Sequence, residues 1–380
     1  MVHGSRAQQP GRLFLMPDVL LFGATGYTGR LTAHALAGRG VSFAIAGRRR
    51  DRLDAVARAT GHPEARLADA DPRALVRHLH DVKVLVTCAG PFAEVGRAAV
   101  DAALEAGVHY IDSSGESSFI DWMIRERSAL ARSRGVVLAP ALGFEEVPAG
   151  VAATIACADL IRPHLRLTLA LPSVASPGTM RSALGVLTSA GRGMRDGRPR
   201  AIAAGRSVRW APMPPPLGPR RAAGWPLAEG VLAPLHLSVD DLELYVTTGR
   251  LFRRAAAAAS GALRPIVAVP RMRRLLTALG NRLVDRPGEG PEEHDRFTIL
   301  AEARSDEAWR HVTVTGRGPY ELTANLLAAG AERMASEGYG AGAGGVIAPV
   351  EAVDLATWVK ELRGAGVVIE VLSSSGSERI

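Results

Sequence analysis

The chain has 380 residues, enough for two domains of the usual size, and 47% of them are apolar, which is typical of a globular protein with a sizeable core. The net charge of +8 comes almost entirely from arginine, since Lys83 and Lys360 are the only lysines. Because the arginines are spread along the chain and no recognition motif accompanies them, we expect no nucleic-acid partner.

The N-terminal 150 residues alternate between short apolar runs and amphipathic stretches. Asp71 and Pro72, for example, suit the N-cap and the first position of a helix. The alternation predicts an α/β fold, with an N-terminal Rossmann domain over residues 18–150 that contains a doubly wound parallel sheet. The predicted strands are 18–22, 41–46, 83–88, 108–112 and 136–139, and the predicted helices are 27–38, 51–59, 72–80, 94–106 and 118–133.

After residue 150 the pattern changes, and we predict a second, mixed α/β domain over 151–370 that holds the substrate. A loop rich in Pro, Gly and Arg is predicted at 195–226. Residues 1–17 and 371–380 are predicted to be a disordered leader and a disordered tail. The predicted strands of this half are 165–171, 242–248, 297–304 and 309–315, and the predicted helices are 147–159, 178–194, 322–336 and 350–363.

The sequence shows no signal peptide, no membrane-spanning segment and no metal-binding motif. The first 15 residues have no apolar core of a signal peptide, and no window of about 18 apolar residues predicts a membrane-spanning helix. The two cysteines, Cys88 and Cys157, lie in apolar segments and form neither a disulfide framework nor a metal motif. The ten histidines show no metal-ligand spacing. We therefore expect a cytoplasmic protein without a metal site.

A glycine-rich loop follows the first predicted strand and opens the first predicted helix. In that context the glycines allow a tight turn, close approach of the backbone to a pyrophosphate and close packing of helix on strand. The helix N-terminus supplies free N–H groups for the phosphates. The spacing is GxxGxxG, and the alternative is a glycine-rich turn without a ligand. The residues expected to hold a dinucleotide are Gly23, Thr25, Gly26, Tyr27, Thr28 and Gly29.

Three arginines stand at the end of the second predicted strand, where NAD-binding folds place a carboxylate for the ribose hydroxyls. They are Arg48, Arg49 and Arg50, and the next carboxylate is Asp51. Guanidinium groups suit a 2′-phosphate, and positive charge is otherwise unfavourable at a helix N-terminus. The alternative is a solvated helix start. The pattern favours NADP(H) over NAD(H), with Arg48 as the main contact and Arg49 beside it.

The strand at 83–88 ends in small residues followed by proline. Ligands of such folds lie outside the carboxyl ends of the strands, and small side chains would let the nicotinamide half pass close to the backbone. The alternative is an ordinary strand-to-helix turn. The residues expected on the cofactor here are Cys88, Ala89, Gly90 and Pro91.

Several blocks of the sequence resemble the saccharopine dehydrogenase-like family, and within it the trans-acting enoyl reductases of actinobacterial lipid and polyketide pathways. The blocks are GATGYTG, AGR, TCAGPF, YIDSSGE and ALGFEEVPAG, all within residues 18–155. The resemblance implies an NADPH-binding Rossmann domain joined to an α/β substrate domain, and reduction of a C=C or C=N bond. Where the family has Leu-Thr and Asp-Ser, this chain has Ser113-Ser114 and Glu145-Glu146, so the substrate does not carry over.

Candidate proton donors follow the strands nearest the expected nicotinamide. Hydride transfer is the chemistry of the cofactor, and the protein must supply a proton and orient the acceptor. A buried carboxyl with a raised pKa or a tyrosine phenol would serve. The alternatives are structural: Asp112 can hold its loop, and Glu116 lies beside a helix cap. The candidate catalytic residues are Tyr110, Asp112, Glu116 and Glu145, with Ser114, Glu146 and Tyr320 also near.

Residues 271–283 form a predicted basic amphipathic helix with Met272, Leu275, Leu276 and Leu279 on one side. Such a helix can lie on an anionic membrane surface or line the entry for an acyl chain, or it packs on the domain. The expected partners are a small-molecule or acyl-chain substrate, free or bound to a carrier, with peripheral membrane contact and a homodimer as further expectations.

Three functions are open from sequence. The first is an NADPH-dependent enoyl reductase acting on a lipid or polyketide intermediate. The second is a C=N reductase of amine or amino-acid metabolism. The third is a protein that binds NADP(H) as a sensor without catalysis. Apolar residues in the pocket would favour the first, convergent Arg and Asp/Glu the second, and a blocked nicotinamide face the third.

Overall fold

The computed structural model describes residues 16–176, 191–249, 254, 257, 269–283, 292–340, 344–374 and 376–379. The predicted leader therefore lies outside the described residues apart from its last two positions. Within the described residues two sheets account for all the strands, one parallel and one mixed.

Five of the seven strands of the first sheet are the predicted N-terminal ones, and the strands Ala65–Leu67 and Gly345–Val346 were not predicted. All its pairings are parallel, and its strand order is β15-β6-β5-β4-β1-β2-β3. The order reverses between β1 and β4, which is the point where a doubly wound sheet opens a ligand crevice. Its strands are β1 (Val19–Phe22), β2 (Phe43–Gly47), β3 (Ala65–Leu67), β4 (Val84–Thr87), β5 (His109–Asp112), β6 (Val137–Ala139) and β15 (Gly345–Val346).

Helices cover both faces of this sheet, so its strands are apolar on both sides. In β1, Val19 and Leu21 join the core on one face, while Leu20 and Phe22 join the core on the other. A doubly wound Rossmann domain is thus confirmed. The N-terminal helices are α1 (Tyr27–Gly38), α2 (Arg50–Ala59), α3 (Pro72–Val76), α4 (Phe92–Ala106), α5 (Ser117–Glu126), α6 (Ser128–Ser133) and α7 (Glu146–Cys157).

The second sheet is mixed. Its main order is β10-β11-β12-β7-β13-β14-β16-β17, with β12 and β7 parallel and β8 and β9 attached beside β12. Its strands are β7 (His164–Ala170), β8 (Gly191–Arg195), β9 (Arg198–Ile202), β10 (Val208–Ala211), β11 (Arg220–Gly224), β12 (Asp241–Thr247), β13 (Phe297–Arg304), β14 (Trp309–Gly316), β16 (Val368–Ser373) and β17 (Gly376–Arg379). The remaining helices are α8 (Glu229–His236), α9 (Pro270–Leu283), α10 (Pro319–Met334) and α11 (Leu355–Gly364).

The predicted loop at 195–226 is wrong, because it carries β9, β10 and β11. Asp196 and Gly197, with φ of 50° and 71°, form the two-residue turn between β8 and β9, and such a turn favours Asp-Gly. The helix predicted at 178–194 lies outside the described residues up to 190, and its last residues belong to β8. The predicted disordered tail is also wrong where it is described, because β17 pairs with β16.

The C-terminal half contributes a strand and a helix to the first sheet. The predicted domain boundary at residue 150 therefore does not separate the two sheets. β15 pairs in parallel with β6 at Val346 and Leu138, and α10 packs on α1 and on β4 and β5. Helix α10 therefore serves as one of the covering helices of the Rossmann layer. A strand of two residues gives no sequence pattern, which is why the pairing of β15 with β6 was not predicted.

The basic amphipathic helix is confirmed as α9. Leu275 and Leu279 are 61% and 52% exposed on it, and Arg271, Arg274 and Arg282 are exposed as well. Membrane contact through this face stays a prediction. No helix among the described residues is long and apolar enough to cross a bilayer.

Candidate functional site

The glycine loop lies at the carboxyl end of β1, beside the strand-order reversal. Gly23 has a φ of +84°, and a Cβ there would come within 2.8 Å of the Ala89 nitrogen. A Cβ at Gly29 would overlap the Gly23 carbonyl oxygen. Both positions therefore exclude larger residues for reasons of packing. Helix α1 begins at Tyr27 with no side-chain cap and no acidic residue in its first turn, which leaves its N-terminus available for an anion.

Gly26 is different, because nothing among the described residues requires glycine there. Its φ is −70°, and a Cβ would meet only the Gly23 carbonyl oxygen, at 3.4 Å. Absence of a side chain at this position is explained by a ligand that approaches the backbone. The loop thus fits the pyrophosphate of a dinucleotide.

Gly26→Ala is expected to leave the denaturation midpoint almost unchanged and to weaken dinucleotide binding at least about tenfold, because its Cβ occupies the space of the phosphate. Isothermal titration with NADPH measures the binding loss. Gly29→Ala is the matched control, since it is expected to destabilise the fold itself. Equal stability losses in both variants would contradict this assignment.

Of the three arginines at the end of β2, Arg48 is the one without an ion pair among the described residues and so the one that can bind an anion. Arg49 is paired with Asp51 at 2.7 Å, and Arg50 is paired with Asp54 at 2.9 Å. Arg48 is exposed and has no such partner among the described residues. Thr25 packs near Gly47, so Arg48 directly follows the strand end that contacts the glycine loop. This placement suits a 2′-phosphate at the adenosine end of the dinucleotide.

The end of β4 contacts the glycine loop through Ala89, as the Gly23 geometry shows. The Cys88 sulfur lies 3.7 Å from the Thr32 hydroxyl of α1, and burial raises the pKa of this thiol to about 12. Cys88 is therefore a packing residue, not a thiolate. Gly90 is exposed and Pro91 is half-buried, immediately before α4. The structure brings these residues to the same edge as the glycine loop, and their contact with a cofactor stays a prediction.

Asp112 is the centre of a buried hydrogen-bond network. Its Oδ2 accepts from the Tyr110 hydroxyl at 2.7 Å. Its Oδ1 accepts from the Ser114 backbone N–H at 2.8 Å, the Ser114 hydroxyl at 2.6 Å and the Ala141 N–H at 2.9 Å. Burial raises the pKa of Asp112, and these donors oppose the rise. Because both oxygens are engaged, the geometry favours a role in tying the loop after β5 to the loop after β6.

Tyr110 and Glu116 are engaged in similar ways. Tyr110 is fully buried, and burial beside Asp112 raises the pKa of its phenol well above the usual value. The Glu116 oxygens each accept a backbone N–H at 2.9 Å, from Phe92 and from Ala93, at the start of α4. Glu116 thus stabilises the N-terminus of α4, where a carboxylate is favourable. The catalytic assignments of both residues stay predictions.

Glu145 belongs to a cluster of three carboxyls at the start of α7. Glu146 follows it directly, and Glu229 reaches the same place from α8. Burial raises the pKa of Glu145 to about 8, with a further rise from Glu229, and raises the pKa of Glu229 to about 7. Burial and the two neighbouring carboxyls also raise the pKa of Glu146. In the part of the chain that the structure describes, none of the three forms an ion pair, so no paired cation lowers these pKa values.

The cluster predicts that stability falls as pH rises above the ordinary range of carboxyl pKa values. The folded pKa values of Glu145 and Glu229 exceed the unfolded values, so the folded state binds more protons between about pH 4.5 and 8. The free energy of unfolding should therefore decrease through this window. Glu229→Gln should reduce that decrease by on the order of 1–3 kcal/mol.

Urea unfolding at pH 5 and pH 8.5 measures this difference for both proteins. The exposed Glu370 offers a control, because Glu370→Gln should follow the wild type at both pH values. An equal decrease in wild type and Glu229→Gln would contradict the raised pKa of Glu229.

The cluster was only partly predictable. Glu145 and Glu146 follow a strand of the Rossmann sheet, whereas Glu229 comes from a helix that sequence reasoning did not assign. A single carboxylate within the apolar run from Leu227 to Leu232 is the signal that was missed. The described residues contain no group of three His, Cys, Asp or Glu side chains that could hold a metal.

Comparison with known proteins assigns the class of the N-terminal region. Residues 19–138 match the family described as the saccharopine dehydrogenase NADP-binding domain. The chain therefore carries an NADP(H)-binding Rossmann domain of the saccharopine dehydrogenase type, a domain of oxidoreductases, and the expected cofactor is confirmed.

Several relatives match over part of the chain. A trans-acting enoyl reductase of Mycobacterium tuberculosis is 36% identical over 138 residues, which are 34% of this chain and 33% of that protein. A lipid droplet localized protein of Caenorhabditis elegans is 34% identical over 145 residues, 35% of this chain and 34% of that protein. The chain thus matches about a third of the length of these relatives.

A solved structure extends the likeness to the whole fold. The apo saccharopine dehydrogenase (L-Glu forming) of Saccharomyces cerevisiae superposes with a TM-score of 0.60, covering 94% of this chain and 99% of that one. The two sequences are 14% identical, so the comparison concerns the fold alone. It confirms the predicted combination of a Rossmann sheet with a second sheet.

Proposed function

We propose that the chain is an NADPH-dependent reductase that reduces a C=C bond in a lipid or polyketide intermediate, in the manner of a trans-acting enoyl reductase. The observation that carries the proposal is the pair of carboxyls Glu145 and Glu146 that follows β6, on the side of β1 opposite to Arg48, with pKa values that burial raises. Because Arg48 marks the adenosine side, the nicotinamide half extends toward β4, β5 and β6.

Reduction of a C=C bond needs a hydride and a proton. NADPH supplies the hydride when it is bound. The protein must supply the proton, and a carboxyl that keeps its proton near neutral pH is suited to do so. Glu145 is partly exposed, whereas Asp112 is fully buried and hydrogen-bonded. Glu145 is therefore the better donor of the two.

The surroundings of the cluster agree with an apolar acceptor. Phe144, next to Glu145, packs edge-on against Phe297 of β13 with 5.5 Å between ring centroids. Among the described residues no arginine or lysine forms an ion pair with Glu145 or Glu146. The names of the mycobacterial relatives support the same substrate class.

Reduction of a C=N bond is the second candidate, and the same cluster is the observation that favours it. A protonated imine carries positive charge, and such a charge beside these carboxyls would favour their ionised form, which in turn stabilises the cation. The two candidate substrates therefore differ in charge as well as in the bond that is reduced.

Oxidation of NADPH should be followed with a trans-2-enoyl thioester and, separately, with a cyclic imine. Turnover of the thioester alone supports the enoyl reductase, and turnover of the imine alone replaces it with the second candidate. Binding of NADPH with turnover of neither would favour a sensor. Arg48→Ala serves as the control, because a true NADPH-dependent rate must fall at subsaturating NADPH in this variant.

A further inference from the structure

The net positive charge of the chain comes from one stretch of its sequence. Between Glu243 and Asp285 there are eight arginines, no lysine and no acidic residue. The net charge of the whole chain is +8, so the rest of the sequence carries equal numbers of basic and acidic side chains. A partner drawn by long-range electrostatic attraction is therefore drawn mainly to this stretch.

Helix α9 lies within this stretch and exposes three of its arginines, Arg271, Arg274 and Arg282. Among the described residues none of the three forms a salt bridge, and the first turn of the helix contains no acidic residue. Arg271 and Arg273 lie in that first turn, where positive charge is unfavourable for the helix itself. These charges therefore do not stabilise α9, and an anionic partner outside the helix accounts for them.

Two exposed leucines lie between the arginines on the same side of α9. Leu275 and Leu279 are one turn apart and are 61% and 52% exposed. Arg271 precedes Leu275 by four residues, and Arg282 follows Leu279 by three, so the four side chains form one row along the helix. At 1.5 Å per residue the row is about 17 Å long. The exposed side of α9 is thus both basic and apolar.

The apolar residues on the neighbouring flank of α9 are less exposed. Met272 and Leu276 are half-buried there, so this flank is the one that faces the protein. An amphipathic helix that only covers a core buries its whole apolar stripe. The exposure of Leu275 and Leu279 is therefore not explained by packing within the described chain.

An anionic lipid surface suits a row of this composition. Leucine side chains gain from an apolar environment and arginine side chains from an anionic one, and a bilayer offers acyl chains directly below its headgroup phosphates. The long arginine stems can stay near the acyl chains while their guanidinium groups reach the phosphates. A nucleic acid would attract the arginines, but it is held by phosphate contacts and by stacking on aromatic rings, and α9 contains no aromatic residue.

We propose that the exposed row of α9 binds the surface of an anionic lipid bilayer. Leu275 and Leu279 enter the upper part of the acyl region, and Arg271, Arg274 and Arg282 contact the headgroup phosphates. One helix with two inserted leucines gives a reversible contact. The proposal does not depend on the proposed reduction, because binding to vesicles is measured without any substrate.

Flotation of the purified full chain with vesicles tests the charge requirement. Phosphatidylcholine vesicles that contain about one-third phosphatidylserine should bind the protein, whereas vesicles of phosphatidylcholine alone should not. An arginine near an anionic membrane contributes about fivefold in affinity, so Arg271→Gln/Arg274→Gln/Arg282→Gln should weaken binding about 100-fold. Unchanged NADPH affinity and an unchanged denaturation midpoint show that this variant keeps its fold.

The matched control removes the same charge from another exposed place. Arg195, Arg198 and Arg200 lie on β8, its turn and β9, and all three are exposed. Replacing them by glutamine should weaken vesicle binding only a few-fold, through the general loss of positive charge. Equal losses in the two triple variants would show attraction by net charge alone and would overturn α9 as the site.

Replacing the leucines tests insertion separately from charge. Leu275→Ser/Leu279→Ser should weaken binding at least about tenfold, while Leu372→Ser, at a position 48% exposed on β16, should have no effect. In Leu275→Trp, lipids brominated in the acyl chains should quench the new tryptophan, and in Leu372→Trp they should not. If both leucine variants bind like the wild type, or if the protein binds an acidic protein or a nucleic acid but no vesicle, the proposal is wrong.

Discussion

Replacing Arg48 by alanine is expected to weaken NADPH binding about 10- to 100-fold, with NADH binding nearly unchanged. The 2′-phosphate distinguishes the two nucleotides, and a charge-assisted hydrogen bond from a guanidinium contributes about 1.5–3 kcal/mol. Of the three arginines, Arg48 is the one expected to give that bond, since Arg49 and Arg50 are already paired with Asp51 and Asp54.

The matched control is Arg49→Ala, which removes the same charge from the next position. Titration of both variants with both nucleotides, at fixed salt, measures the contrast. We expect Arg49→Ala to change NADPH affinity only a few-fold, through the general loss of positive charge. If the two variants lose NADPH affinity equally, Arg48 has no specific contact with the 2′-phosphate.

Replacing Asp112 by alanine is expected to lower the free energy of unfolding by about 3–5 kcal/mol. The change removes the acceptor of four hydrogen bonds and leaves buried donors from Tyr110, Ser114 and Ala141 without partners. Each buried donor left unpaired costs about 1–3 kcal/mol, although the losses do not add fully within one network. Urea unfolding followed by circular dichroism measures the loss.

Asp112→Asn separates a structural role from a catalytic one. Its side-chain oxygen can still accept from Ser114 and Ala141, and the Tyr110 hydroxyl can rotate to accept from the new amide. We therefore expect a much smaller stability loss than in Asp112→Ala and near-normal turnover. A stable Asp112→Asn protein that binds NADPH but has lost turnover would instead make Asp112 the proton donor.

The Rossmann half of the fold was predictable because its signals are local. A buried strand, a glycine loop and a helix follow one another within residues 19–38, and the arginines at the end of β2 stand at a fixed distance along the motif. Such local signals need no knowledge of distant contacts. The strand β3 was missed because it has only three residues at the edge of the sheet.

The second half was less predictable because its elements depend on distant partners. β10 and β11 lie within a segment rich in Pro and Gly. They become strands because β10 pairs with β11 and β11 pairs with β12. The sequence does contain the Asp196-Gly197 turn, which predicts a hairpin. The meeting of Glu229 with Glu145 and Glu146 has no local signal beyond a carboxylate within an apolar run.

The pairing of β15 with β6 has a consequence for the order in which the protein is made. The cofactor sheet cannot close its β6 edge until Gly345 and Val346 have been synthesised, and α10 must also be present to cover β4 and β5. A nascent chain that ends after β6 therefore exposes an open parallel edge and an uncovered apolar face. The N-terminal sheet can therefore be completed only after the C-terminal residues have been synthesised, and the nascent chain is expected to need a chaperone until then. A fragment that ends near residue 150 is expected to aggregate.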